Sequence, residues 1–262
     1  MAGYYIGLVP DDQEAVSLLL DAAEHIGNWV DSVPDWYDYN RDVFYSFFIG
    51  TREVRRDEKN SYELAEHFRF IHLALASYKV LADQRYLDWS IRYGRKRAER
   101  ILSCPEIPLL WDLGGNALSP TQVDQLGLHS LANSHHHHSG NRLGGIENLL
   151  ASGAVYVFGD LYRLSGDPIF KQAARRIVEP LIPDFNYDTN SIKKIIESEP
   201  EVVSHNIETV RRLSPKVRDS RATYEQSLSV LRKIKVINPK IYTKSSIMVG
   251  HGETKEEVIQ TA

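Results

Sequence analysis

The sequence has a single cysteine, Cys104, and no long apolar run. One cysteine cannot form an intramolecular disulfide, and the scarcity of thiols favours a reducing compartment. A membrane-spanning helix needs about eighteen or more consecutive apolar residues, which no stretch of this chain approaches. The first residues also lack the basic stretch followed by an apolar run that marks a secretory signal. We therefore predict a cytoplasmic protein with no membrane partner.

A strong charge of either sign is also missing. The net charge is -4 and charged residues make up 25% of the chain, whereas nucleic-acid-binding domains are typically basic. We therefore predict no nucleic-acid partner. The hydrophobic content of 42% is ordinary for a globular protein, and 262 residues suffice for one large domain or two small ones.

Helical periodicity dominates the first 180 residues. Apolar residues at spacings of three and four follow Asn60 and Glu63, and this pattern predicts a helix that opens with these two residues as a capping box. Further helices are predicted from about Arg85 to Leu102, from Gly145 to Leu164 and from Asp167 onwards.

A short internal echo lies within this helical region. The stretch from Leu81 to Leu87 aligns with the stretch from Leu164 to Phe170, at an offset of 83 residues. Each copy is predicted to be the turn between two helices, so the region is interpreted as repeated αα hairpins. This pattern is similar to the α/α-toroid enzymes that act on carbohydrates, such as polysaccharide lyases and related hydrolases. The resemblance concerns the fold alone, since no catalytic motif of such a family is assigned here.

Four loop or helix-start residues are candidates for a carbohydrate cleft. Trp36 lies in an aromatic loop, Trp111 and Asp112 form an aromatic–acid pair, and Glu147 lies near the start of a predicted helix. Indole rings stack on sugars and carboxylates bind their hydroxyl groups, which is why these residue types suit a carbohydrate. The alternative is that the aromatic side chains pack beneath the loops as part of the core.

A run of four histidines, His135 to His138, is the other notable loop feature. Imidazoles bind transition metals, but consecutive residues of a strand or helix point in different directions. We favour a solvated loop for this run and predict no metal site.

Beyond residue 180 the pattern changes to short apolar runs that end in polar residues. Val202–Val203 precedes Asn206, and the run at residues 247–249 precedes Gly250. A capping box that begins at Thr223 opens a helix between the two runs. The order β-α-β-α predicts a parallel sheet, in which ligands bind beyond the carboxyl ends of the strands.

This part of the chain, about residues 181–262, also carries a family resemblance. The segments concerned are Leu181-Ile182-Pro183-Asp184-Phe185, His205-Asn206-Ile207-Glu208-Thr209-Val210, Arg212-Leu213, Lys216-Val217-Arg218, Tyr224, Ser227-Leu228, Thr243-Lys244-Ser245 and Gly250 with Gly252-Glu253-Thr254. Together they resemble the later part of lipoyl synthase, a radical S-adenosylmethionine enzyme. Many matching segments in the right order are more specific than one glycine motif.

The resemblance implies a partial radical βα barrel of the TIM type and two kinds of cofactor. Lipoyl synthases use S-adenosylmethionine and [4Fe-4S] clusters to insert sulfur into an octanoyl group carried on a lipoyl-domain protein. The positions that match the family around the nucleoside are Asn206, Glu208, Lys244, Ser246, Gly250, Gly252 and Glu253. Ser246 stands where the G-x-I-x-G-x-x-E pattern has its first glycine.

The resemblance also implies a deficiency. Lipoyl synthases hold one cluster through a C-x3-C-x2-C motif, and cluster iron needs several thiolates. This chain has only Cys104, which lies in the other half. We therefore expect lipoyl synthase-type chemistry by resemblance, with this chain inactive by itself.

The predicted architecture is accordingly mixed and mainly α. Residues 1–180 form an α/α-toroid-like fragment and residues 181–262 a partial βα barrel, joined near Pro180 without a Gly/Ser linker. Two alternatives to the radical transferase stay open. One is a carbohydrate-active toroid enzyme, and the other is a chimeric fusion product with no activity.

Overall fold

A computed structural model describes residues 12–127 and 143–261. The chain divides into two compact units, residues 1–174 and residues 175–262. We call them the helical unit and the C-terminal unit, and each is described by itself. The assignment of domains to residues 1–180 and 181–262 stays a prediction.

The helical unit consists of helices joined by short two-stranded sheets and loops. The helices are α1 (Gln13–Glu24), α2 (Phe68–Leu81), α3 (Gln84–Ser103), α4 (Pro120–Gln125), α5 (Gly144–Ala151), α6 (Ala154–Ser165) and α7 (Pro168–Ile177), with a 3-10 turn at Ala65–His67. The long α3 packs against both α2 and α6. It confirms the predicted helix from about Arg85 to Leu102.

The two echoed turns have the same local structure. In the first, Ala82 is left-handed (φ 54°) and the Asp83 carboxylate caps α3 by accepting the Arg85 amide at 3.0 Å. In the second, Gly166 is left-handed (φ 73°) and Asp167 accepts the Ile169 amide at 3.1 Å. The predicted helix–turn–helix pairs are confirmed. In the structure Asp83 corresponds to Asp167, an offset of 84 residues, whereas the sequence alignment used an offset of 83.

The helix predicted to open at Asn60 is wrong in its first turn. Strand β3 (Tyr62–Glu63) pairs antiparallel with β4 (Trp111–Asp112), and α2 begins only at Phe68. A second antiparallel pair joins β1 (Tyr37–Asp38) and β2 (Val43–Phe44). Pairing with a strand far along the chain overrides the local capping pattern.

The helix predicted from Gly145 to Leu164 is interrupted. Gly153 has a φ of 78° and separates α5 from α6. A Cβ at this position would lie 2.7 Å from Nε2 of His72, so both the backbone conformation and the space require glycine.

The C-terminal unit alternates helices with a parallel strand pair. Its elements are a 3-10 turn (Phe185–Tyr187), α8 (Thr189–Glu197), β5 (Val202–Ser204), α9 (Ser214–Val217), α10 (Tyr224–Ile237), β6 (Tyr242–Lys244) and α11 (Lys255–Thr261). β5 and β6 pair in parallel with Ser204 opposite Lys244. The helix between them, α10, is capped by Thr223 as predicted.

One apolar cluster holds this unit together. It comprises Val203 of β5, Ile192 and Ile196 of α8, Val230 and Ile234 of α10, Ile182 before α8 and Ile241 directly before β6. The helices therefore cover one face of the sheet. The strand predicted at residues 247–249 is wrong in position, because β6 ends at Lys244 and only Ile247 makes a further bridge, to Glu208.

None of the helices in the described parts of the chain is both long and apolar enough to cross a membrane.

Candidate functional site

Polar side chains lie on the face of the β5–β6 sheet opposite the apolar cluster, and β5 is buried on this face as well. Successive strand residues point to opposite faces, so Ser204 lies opposite the face on which Val203 packs. The Ser204 hydroxyl donates to one oxygen of Glu179, and Nζ of Lys244 lies 3.3 Å from the other. The predicted candidate Lys244 is therefore paired with Glu179, a residue that the sequence reasoning did not select.

The segment after β5 is held against the segment after β6. The Glu208 amide donates to the Ser246 carbonyl at 3.1 Å, and the Met248 amide donates to the Glu208 carbonyl at 2.7 Å. The Ile207 amide donates to the Ser245 hydroxyl at 3.1 Å. The structure thus brings together the candidates that follow the two strands.

Glu208 adopts a left-handed backbone conformation, with a φ of 69°. This conformation is uncommon for a residue other than glycine, and such residues concentrate at functional sites. Asn206 and Glu208 are both half-buried, whereas Ile207 between them is buried. The two polar candidates therefore flank an anchored apolar residue at the carboxyl end of a parallel strand.

Gly250 and Gly252 form a tight turn at the end of the second segment. Their φ values of 108° and 97° require glycine, while the space around each is open. The Glu253 carboxylate accepts the backbone amides of Gly250 and His251, and these hydrogen bonds lower the pKa of Glu253. Glu253 therefore stabilises the turn through its side-chain carboxylate. Ser246 is exposed.

An arginine that the sequence reasoning did not place in the site joins this turn to α11. Arg212 donates to the two Glu257 oxygens at 2.6 and 2.9 Å and to the Gly252 carbonyl at 2.8 Å. The Glu257 carboxylate also caps α11 by accepting the Thr254 amide at 2.8 Å. The hydrogen bond from Arg212 is the main cause that lowers the pKa of Glu257 to about 2.

The residues of this chain do not fit an iron–sulfur cluster. Cluster iron is held by several thiolates, and Cys104, the one cysteine, follows α3 in the helical unit. No group of three or more His, Cys, Asp or Glu that could hold a metal occurs within residues 12–127 and 143–261. The histidine run at 135–138 lies outside the described residues. We therefore derive no step through a cluster on this chain.

The two tryptophans proposed for a carbohydrate cleft are buried. Trp36 is 9% exposed and its indole donates to the Gly50 carbonyl at 3.2 Å. Trp111 is 1% exposed, and the Arg97 guanidinium lies 4.6 Å from its ring centre. Neither indole presents a free face for stacking in this structure. The cleft assignment stays a prediction.

The acidic cleft candidates lie in different local settings. Asp112 accepts two hydrogen bonds from Asn116, at 2.8 Å each. Burial acts to raise the pKa of Asp112, but the hydrogen bonds from Asn116 and from neighbouring amides outweigh this effect, and the net result is a lowered pKa. Glu147 is half-buried in the first turn of α5.

The helical unit also has a buried charged centre that the sequence reasoning missed. Glu63 is fully buried, and one oxygen accepts from Arg97 at 2.8 Å and from Arg100 at 2.6 Å. The other accepts from the Tyr93 hydroxyl at 3.1 Å. Burial acts to raise the pKa of Glu63, but the two guanidinium groups outweigh it and lower the pKa. The i, i+3 spacing of Arg97 and Arg100 on α3 was the available signal.

Comparison with known proteins finds lipoyl synthases over about a third of this chain. The apicoplast lipoyl synthase of Plasmodium falciparum is 56% identical over 85 residues, 32% of this chain and 20% of that protein. The lipoyl synthase of Caldicellulosiruptor saccharolyticus is 60% identical over 81 residues, 31% and 28% respectively. The mitochondrial lipoyl synthase of Aedes aegypti is 54% identical over 93 residues, 36% and 24% respectively. No family model matches the chain.

These matches support the resemblance but cover a limited part of each protein. The chain spans between about a fifth and somewhat over a quarter of the length of these relatives.

Proposed function

We propose that the C-terminal unit is part of a radical βα barrel of the lipoyl synthase type, and that it carries the nucleoside portion of the cofactor site. In this proposal Asn206 and Glu208 face the ribose and amino-acid portions of S-adenosylmethionine. Lys244, Ser246 and the turn from Gly250 to Glu253 complete the surroundings. Glu179 joins them as the partner of Lys244.

The observation that carries the proposal is the junction of the two strand ends. Amide hydrogen bonds join Glu208 to Ser246 and Met248, so polar residues of two parallel strands meet at their carboxyl ends. Ligands of parallel βα folds bind at that edge. The identity of 54–60% to lipoyl synthases supports the same interpretation at the level of sequence.

The proposed chemistry follows the family only in part. By resemblance, the reaction is sulfur insertion into an octanoyl group on a lipoyl-domain protein, with S-adenosylmethionine and [4Fe-4S] clusters. A single cysteine cannot supply the thiolates that a cluster requires. We propose that the chain by itself binds the nucleoside but does not generate the radical.

Anaerobic reconstitution with iron and sulfide tests the second half of this proposal. We expect no absorbance of a [4Fe-4S] cluster and no 5'-deoxyadenosine from S-adenosylmethionine under reducing conditions. An authentic lipoyl synthase treated in parallel is the positive control. Stoichiometric 5'-deoxyadenosine from this chain would refute the proposed inactivity and would require cluster ligands from elsewhere.

A carbohydrate-active helical unit is the second candidate. Its support is the repeated turn, in which a left-handed residue and a capping aspartate recur at Ala82–Asp83 and Gly166–Asp167. We propose the α/α-toroid fragment as its fold on this ground. Binding of acidic and neutral oligosaccharides to the wild-type chain tests it. A chain that binds none of them would contradict this second candidate.

A further inference from the structure

Both backbone polar groups of Ile207 are hydrogen-bonded to side chains. Its amide donates to the Ser245 hydroxyl at 3.1 Å, and its carbonyl accepts from Nη1 of Arg218 at 3.1 Å. The same nitrogen of Arg218 donates to the Ser227 hydroxyl of α10, also at 3.1 Å. Ser227 is 1% exposed, so this second contact lies inside the unit. Arg218 thus ties the segment after β5 to the helix layer.

Ile207 lies between the two polar candidates of the site, Asn206 and Glu208. Asn206 precedes Ile207 and Glu208 follows it. The hydrogen bond to the Ile207 amide restrains the peptide group shared with Asn206, and the hydrogen bond to the Ile207 carbonyl restrains the one shared with Glu208. Glu208 is held at a φ of 69°, an unfavourable conformation that persists only where surrounding contacts determine it. A hydrogen bond from a charged donor is among the stronger contacts available for this.

We infer that Arg218 is a positioning residue for the nucleoside site: it sets the turn that presents Asn206 and Glu208 by holding the Ile207 carbonyl. The inference rests on the proposed function for the identity of the ligand. The effect of Arg218 on the turn itself does not depend on any ligand. Arg218 touches the site through the backbone and has no direct role in chemistry.

Amide hydrogen exchange of the ligand-free chain tests the effect on the turn. The Glu208 and Met248 amides close the junction, whereas the buried face of α10, including Val230 and Ile234, reports the stability of the unit. We expect Arg218→Met to speed exchange of Glu208 and Met248 about tenfold or more, with little change in α10. Equal loss of protection in α10, or no change at Glu208 and Met248, would overturn the inference.

Matched variants separate positioning from a general effect on stability. Arg218→Lys keeps a positive donor and should restore part of the protection, while Ser227→Ala should give a smaller loss than Arg218→Met. Arg221→Met is the control, because Arg221 is exposed and pairs only with Asp219 among the described residues. This variant should leave the hydrogen-exchange rates of the Glu208 and Met248 amides unchanged. A loss in the control equal to that in Arg218→Met would contradict a specific role.

Affinity for S-adenosylhomocysteine, which needs no cluster, tests the consequence for binding. We expect Arg218→Met to weaken binding by roughly ten- to a hundredfold, the range for loss of a charge-assisted hydrogen bond, with partial rescue in Arg218→Lys. If the wild-type chain does not bind the probe, the proposed function fails while the exchange data still decide the positioning role. Binding that is unchanged in Arg218→Met would overturn the inference about affinity.

Discussion

Glu63 and Arg97 form an ion pair in which both side chains are fully buried, with Nη1 of Arg97 2.8 Å from Oε2 of Glu63. Arg100 shares the same oxygen at 2.6 Å. Breaking a buried pair from one side leaves uncompensated charge in the interior, which is strongly destabilising. The pair therefore joins β3 to α3 at a point where the chain tolerates little change.

The first prediction follows from this pair. Glu63→Gln should lower the free energy of unfolding of the helical unit by about 3–5 kcal/mol. All four tryptophans lie in this unit, so tryptophan fluorescence during urea unfolding reports on it alone. Glu66→Gln is the control, because the Glu66–Arg69 pair is exposed and should matter by about 0.5 kcal/mol or less. Equal effects of the two variants would contradict the buried centre.

The second prediction concerns pH and His67. Burial lowers the pKa of His67 to about 4, so the unfolded imidazole gains a proton between about pH 6.5 and 4 while the folded one stays neutral. The unfolded state then binds more protons, and stability falls as the pH falls through this window, by roughly 3 kcal/mol in total.

Urea midpoints measured across this pH range test the assignment. His67→Leu should make the profile less steep between pH 6.5 and 4. Some slope should remain, because burial also lowers the pKa of His72. His251→Gln should keep the wild-type profile, since His251 is exposed and lies in the C-terminal unit. A His67→Leu profile as steep as that of the wild type would assign the pH dependence to other groups.

The third prediction contrasts two helical glycines. A Cβ at Gly94 of α3 would lie 2.3 Å from Cδ1 of Leu161, whereas one at Gly159 of α6 would meet nothing within 4 Å. Gly94→Ala should destabilise the unit by about 1–3 kcal/mol through overpacking. Gly159→Ala should stabilise it by about 0.5–1 kcal/mol through helix propensity. The same fluorescence assay measures both, and equal signs would contradict the α3–α6 packing.

Local signals in the sequence predicted local structure well. Asp167 and Thr223 cap helices as expected, because a capping hydrogen bond joins residues two or three positions apart. The helical periodicity of the sequence also predicted the extent of α3, because residues on one face of a helix are only three or four positions apart. The order strand, helix, strand in the sequence predicted that two strands pair in parallel, as β5 and β6 do on either side of α10 in the chain.

Long-range pairing was the part that the sequence did not reveal. Asn60 and Glu63 have the spacing of a capping box, but Glu63 pairs with Trp111 in a sheet and binds two arginines of α3. The apolar run at residues 247–249 suggested a strand, whereas the register with β5 places it at Tyr242–Lys244. For the proposed site, the sequence indicated the candidates that follow each strand, whereas Arg212 and Arg218 were missed because their contacts are tertiary.

The fourth prediction concerns residues 180–188, near the start of the C-terminal unit. Chymotrypsin should cut the native chain first between residues 180 and 188, where Leu181 and Tyr187 are 64% and 48% exposed and the chain is largely irregular. Tyr156 is an internal control, because it is 76% exposed but lies within α6. Mass spectrometry of the first fragments identifies the site. Initial cleavage at Tyr156 would contradict the prediction.

Calorimetric titration of the chain with S-adenosylhomocysteine tests the proposed nucleoside site directly. We expect saturable binding to one site, weakened about tenfold or more by Asn206→Ala and by Glu208→Ala, with Glu225→Ala on the exposed side of α10 as the unaffected control. Binding that is absent in the wild type, or that is the same in all three variants, would contradict a nucleoside site at the ends of β5 and β6.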